Sequence, residues 1–154
     1  MKMLVYILAS AFLGVHSLYA NPSDKLITSF IQVESRGNSN AIGDNGKAIG
    51  CLQIHKGVVE DVNRIYGTTY VHSDCKNVEI SKEICRKYLT YYGGKSATDE
   101  KYARIWNGGP KGHLKTKTKR YWRRVRDIMT RQIYAMFSTL EVVEFNWCSA
   151  SRVV

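Results

Sequence analysis

The strongest constraint on the fold is a succession of short helical segments, closed one after another by glycine. Asn21-Pro22-Ser23-Asp24 is a helix-start signal, with proline near the first turn and cap residues around it. Leu26, Ile27, Phe30 and Ile31 then recur at i, i+3, i+4 spacing, and Glu34 shares their face. Residues 36–50 are rich in Gly, Asn and Asp and read as turns or a β-hairpin about Asp44-Asn45-Gly46. Val58, Val59, Val62, Ile65 and Tyr66 mark a second helix that ends at Gly67. Ser81 is the expected cap of a third, with Ile84, Cys85, Tyr88 and Leu89 inward and Gly93-Gly94 as its stop. Thr98-Asp99-Glu100 opens a fourth, which ends at Asn107-Gly108-Gly109-Pro110. A fifth runs from about Lys119 into the 130s, with Tyr121, Val125, Ile128 and Ile133 on one side. The expectation is a single, mainly α (α+β) domain, with a small loop or β-hairpin region between the first two helices. Its core covers residues 21–133, and residues 134–154 form a C-terminal extension.

The first twenty residues carry a different message. Lys2 precedes an apolar stretch of 13 residues, from Met3 to Val15. A membrane-spanning helix needs about 20. The shorter length suits the core of a secretory signal peptide, residues 1–20, cleaved after Ala20. The expected address is outside the cell or in the periplasm, with no membrane span after cleavage. Export gives meaning to the even count of cysteines: Cys51, Cys75, Cys85 and Cys148. In an oxidising compartment four cysteines form two disulfides by default. Of three connectivities, Cys75–Cys85 with Cys51–Cys148 is the expected one, because the first closes a short local loop. No Cys-x-x-Cys occurs and the four histidines do not cluster, so no metal or organic cofactor is expected.

Glu34 is the residue that demands a chemical explanation. A carboxyl group at the end of an apolar stripe loses hydration, and its pKa rises. A carboxyl protonated near neutral pH is what a general acid requires. The competing reading is structural: Glu34 ends the helix and turns to solvent, or pairs with Arg36.

Three further motifs decide how Glu34 is read. Glu34-Ser35 is followed by Gly50-Cys51-Leu52-Gln53-Ile54, and later by Ala103-Arg104-Ile105-Trp106-Asn107-Gly108-Gly109-Pro110. Together they resemble the lysozyme-like muramidase superfamily, in which lytic transglycosylases carry Glu-Ser, Gly-x-x-Gln and Tyr-Asn-x-Gly. The tyrosine position is Trp106 here. Val33-Glu34-Ser35, Gln53-Ile54, Tyr102-Ala103-Arg104-Ile105 and Tyr121-Trp122-Arg123-Arg124-Val125 also resemble invertebrate-type, destabilase-like lysozymes. The likeness spans about Leu26 to Val125. It departs in the cysteines, because the family's cysteine before Gln-Ile falls at Ile49 rather than at Cys51.

The resemblance implies a lysozyme-like fold and cleavage of the β-1,4 bond between N-acetylmuramic acid and N-acetylglucosamine in peptidoglycan. It implies Glu34 as the acid, and an Asp in the following loop as the second carboxylate. Asp44 is the one carboxylate between Glu34 and Gln53. It equally suits the hairpin turn itself. If Asp44 only shapes the turn, the lytic transglycosylase route gains: the sugar's own 6-hydroxyl attacks and leaves a 1,6-anhydro product. Gln53, Trp106 and Asn107 match positions that line the sugar cleft. Ser35 supports Glu34 by a hydrogen bond or caps its helix, and Gly108 lets backbone approach substrate.

Composition enters through charge. Lys plus Arg number 23 and Asp plus Glu 13, a net +10. Between Lys111 and Arg131 nine basic residues and one acid give +8, so the excess is one patch. Such a patch attracts polyanions. On an exported chain without helix-turn-helix, zinc-finger or RNA-recognition motifs, the expected polyanion is an anionic cell-wall polymer and not nucleic acid. The same patch supports a different class of function, a non-catalytic cationic wall-binding or antimicrobial protein. A monomer is expected in either case.

Overall fold

The computed structural model describes residues 21–150, with side chains through residue 135. Five α-helices frame a very small sheet. They are α1 (Asp24–Glu34), α2 (Lys56–Tyr66), α3 (Val78–Gly93), α4 (Asp99–Gly108) and α5 (Lys119–Ala150). The strands β1 (Ile42–Gly43), β2 (Ala48–Ile49) and β3 (Ile54–His55) lie between α1 and α2. They form an antiparallel sheet of order β1-β2-β3, pairing Ile42 with Ile49 and Ile49 with Ile54. The expected hairpin is therefore present, and β3 extends it. Asp44, Asn45 and Gly46 turn its corner with φ of 47°, 53° and 89°. Asn, Asp and Gly tolerate that left-handed region best.

The caps explain most helix ends. Ser23 Oγ accepts the Leu26 amide at 3.2 Å and Thr98 Oγ1 accepts that of Lys101 at 3.2 Å. Gly67 closes α2 at φ 66°. Helix α3 corrects the expectation. Its cap is Asn77, whose Oδ1 accepts the Glu79 amide at 2.9 Å and the Ile80 amide at 3.2 Å. Ser81 lies one turn inside the helix, fully buried, and donates to the Cys75 carbonyl at 2.6 Å.

Leu26, Ile27, Phe30 and Ile31 of α1 form the centre of the core, with Ile84, Leu89, Tyr102, Ile105 and Val125 around them. Helix α1 packs on α5, so the first and last helices close the molecule. Tyr121 and Val125 face inward as expected, whereas Ile133 is exposed. Helix α5 passes residue 134 without a break. Gly50 is obligatory at the back of the sheet: a Cβ there would sit 1.8 Å from the Cys75 carbonyl oxygen, and its φ is 79°.

Cys75 and Cys85 do not pair; each is a buried free thiol, as is Cys51. Cys75 precedes α3, whereas Cys85 lies two turns inside it, roughly 10 Å along the axis from Val78. Bridged cysteines need Cα atoms within about 7 Å. Burial pushes all three thiols above the ordinary cysteine pKa. The side chain of Cys148 and the expected signal peptide, residues 1–20, lie outside the described residues. No described helix is long and apolar enough to cross a membrane.

Candidate active site

A cleft of about 280 Å³ opens between the end of α1, the sheet and the end of α4. Of the expected residues, Glu34, Asp44, Gln53, Trp106 and Asn107 line it. Ser35 and Gly108 do not; their contacts are with Cys51 and with Lys115. Val58 and His55 complete the lining, with Gly43, Ala48 and Ile54.

Glu34 ends α1, one turn beyond Phe30 and Ile31, so its carboxyl reaches the edge of the core. Burial is the largest influence on it and pushes its pKa above the usual carboxylate value. The negative charge of Asp44 acts in the same direction. Tyr121, Arg124 and His55 oppose the rise without cancelling it. The Tyr121 hydroxyl donates to Glu34 Oε1 at 2.7 Å. Its own pKa is raised well beyond the ordinary phenol range by burial and by Glu34, so it remains a donor. Arg124 is fixed by donating to the Val33 carbonyl at 3.2 Å.

Asp44 stands on the opposite wall at the hairpin corner. His55 Nε2 meets Asp44 Oδ2 at 2.9 Å, with both side chains about half exposed or more. The pair is possible because β3 returns beside β2, setting His55 opposite Ala48, just past the corner. Asp44 thus sits in the turn and also lines the cleft.

Gln53 is held more tightly than an expected sugar ligand. Its Nε2 donates to the Ala41 carbonyl at 3.2 Å and to the Gly50 carbonyl at 2.9 Å. Its Oε1 occupies the space where a Cβ on Gly43 would lie, 2.2 Å away. Gly43 is therefore required by Gln53, and both amide hydrogens serve the hairpin. Ser35 plays a matching part across the gap. It is the C-cap of α1, and its hydroxyl donates to the Cys51 carbonyl at 2.8 Å instead of to Glu34.

Trp106 is both core and wall. Its ring lies parallel to Phe30 with centroids 6.2 Å apart and meets Tyr88 edge-on at 6.1 Å. The remaining edge borders the cleft. The Asn107 side chain is exposed and has no hydrogen-bond partner among the described residues, so its amide is free for a ligand. Gly108 accepts Lys115 Nζ at 2.6 Å, and a Cβ there would meet the Thr118 methyl at 2.7 Å.

One acid held by burial, a second carboxylate across a groove and an aromatic edge beside a free amide suit a polar ring substrate. Comparison with known proteins agrees. Residues 17–129 match the transglycosylase SLT domain. The chain belongs to the SLT transglycosylase domain family. This SLT domain is also 32% identical over 130 residues to a lysozyme of Ostrea edulis, covering 80% of the chain and 93% of that protein. Its fold resembles the crystal structure of Tapes japonica lysozyme, with a TM-score of 0.56 at 24% identity, over 67% of this chain and 87% of that one. The lysozyme-like fold and the glycosidase-type family expected from the motifs are both present. Among the described residues no group of three His, Cys, Asp or Glu side chains is placed to hold a metal ion.

Tyr121, Arg124 and His55 act on Glu34 and were not among the expected site residues. Tyr121 carried a signal: it places a hydroxyl on an otherwise apolar helix face. His55 follows the Gln53-Ile54 pair directly. Arg124 lies in the Tyr121–Val125 motif, but nothing there distinguishes it from the other eight cations of the stretch.

Proposed function

We propose that the protein is an exported muramidase that hydrolyses β-1,4 bonds between N-acetylmuramic acid and N-acetylglucosamine in peptidoglycan. The observation that carries this reading is the carboxyl of Glu34, at the cleft edge, with burial raising its pKa and one oxygen engaged by Tyr121. With Oε1 accepting from the phenol, the acid proton belongs on Oε2. Glu34 donates that proton to the glycosidic oxygen as the bond from C1 breaks. Asp44, across the cleft, stabilises the positive charge that develops at C1. Water then adds to C1 and returns a proton to the Glu34 carboxylate. Trp106 offers an apolar edge to a pyranose ring, and Asn107 offers an amide to its N-acetyl group.

The engagement of Asp44 by His55 favours a second reading. An Asp already engaged by an imidazole leaves Glu34 as the single working carboxylate. Attack by the sugar's 6-hydroxyl then replaces water, and Glu34 serves first as acid and next as base. Both readings share one test of Glu34. Glu34→Gln lowers cleavage of purified peptidoglycan by roughly 10²–10⁴-fold while binding persists. Undiminished cleavage would remove Glu34 from the mechanism. Mass spectrometry of the wild-type products separates the routes: reducing muramic ends support hydrolysis, and 1,6-anhydro ends support the transglycosylase.

A further inference from the structure

The cationic stretch is not uniform once folded. Lys115 is engaged by the Gly108 carbonyl and Arg124 by that of Val33. Five of the others, Lys117, Lys119, Arg120, Arg123 and Arg126, surround a groove of about 910 Å³ together with Trp122. Its lining shares no residue with the catalytic cleft. Lys119, Arg123 and Arg126 follow i, i+4, i+7 along α5, so three cations line one face over about 10 Å. Tyr121 and Val125 turn the opposite face into the core.

The groove's charge is almost uncompensated. Its one acid, Glu100, is engaged by Arg104 at 2.9 Å. Arg126 has Asp127 at 3.4 Å, a pair more than half exposed. Among the described residues Lys117, Lys119, Arg120 and Arg123 form no ion pair. The backbone that carries Lys117 and Lys119 is anchored between them: Thr118, fully buried, donates to the Gly112 carbonyl at 2.9 Å and accepts Arg104 Nε at 3.1 Å. Like charges gathered on a fixed frame repel one another, and a concave arrangement concentrates their field. Arginine forks match phosphate oxygens, and an indole beside them suits a sugar ring.

We propose that this groove is a second binding site, for a phosphodiester-linked anionic glycopolymer attached to the cell wall. The choice of polymer rests on the muramidase reading, while the phosphate chemistry rests on the groove alone. The test uses the full chain carrying Glu34→Gln, so that walls are bound and not digested. Sedimentation binding compares walls that retain their phosphodiester polymer with walls stripped of it by hydrofluoric acid. At low salt the expected preference for the retained polymer is about tenfold or more, falling as salt rises. Arg120→Gln with Arg123→Gln brings the ratio close to one, and so does Lys117→Gln with Lys119→Gln. Restored to Glu34, both double variants cleave stripped walls at the wild-type rate, which shows that they fold. A preference that survives both variants overturns the proposal. So does slower cleavage of stripped walls, because the groove would then serve the glycan itself. Tighter binding to phosphatidylglycerol vesicles or single-stranded DNA than to polymer-bearing walls also overturns it. If wild-type protein leaves stripped walls intact, the muramidase reading fails, and the binding ratio still decides the groove.

Discussion

At the scale of single residues, the proposed mechanism makes Glu34 and its phenol partner the source of the pH behaviour. A general acid works while protonated, so activity falls as pH rises through the Glu34 pKa. Tyr121 holds that pKa down by donating to the ionised form. Tyr121→Phe removes the donor, and the falling limb of the pH–rate profile moves to higher pH. Maximal turnover drops by about ten- to a hundredfold, because the carboxyl also loses its orientation. A limb that stays in place would separate Tyr121 from the acid. Stability follows the same carboxyl with a definite sign. A pKa raised in the folded state stabilises the protein at low pH, and that contribution is lost as pH rises from 4.5 through the folded value. Glu34→Gln carries no ionisable group, so its Tm exceeds that of wild type at pH 7, and the difference closes toward pH 4. Calorimetry across that range measures both ends. Glu34 stood out as a carboxylate on an apolar stripe, but only the motifs after it, Gly50–Ile54 and Ala103–Pro110, turned the sequence reading from a helix end to a cleft residue. Its neighbours were not legible, because Tyr121 lies 87 positions away and only the fold brings it near.

At the scale of elements, periodicity and glycine stops were good guides, and caps were weaker ones. The ends of α2, α3 and α4 fall at or beside Gly67, Gly93-Gly94 and Gly108-Gly109 as the sequence indicates. The start of α3 was misread because Ser81 has the chemistry of a cap, yet its hydroxyl serves the buried Cys75 carbonyl. Asn77 receives two amide hydrogens, so Asn77→Ala destabilises the protein by about 1 kcal/mol. Urea denaturation resolves that as a lower midpoint with an unchanged slope. The strands were the least legible elements, since two residues each leave no alternation to read. Their positions are set by Gln53, whose amide ties Ala41 to Gly50, and by the glycines that make room for it.

At the scale of the molecule, Phe30 is the meeting point of three helices. It is fully buried in α1, stacks on Trp106 of α4 and tilts against Tyr121 of α5 at 6.1 Å. Phe30→Ala removes contacts with both ring partners and costs about 3–5 kcal/mol. Denaturation monitored separately by tryptophan fluorescence and by circular dichroism should fall together, with coincident midpoints. Charge at this scale was only half readable. The net +8 between Lys111 and Arg131 is plain in the sequence. Which cations are free and which hold backbone carbonyls depends on the turns before α5. The closure of α1 by α5 also sets an order of events during synthesis. Until α5 leaves the ribosome, Glu34 lacks both its buried setting and the Tyr121 hydroxyl. It is then an ordinary hydrated side chain, ionised at neutral pH with a pKa of about 4.3. The raised pKa of Glu34 is therefore a property of the assembled fold, acquired only once α5 has packed on α1.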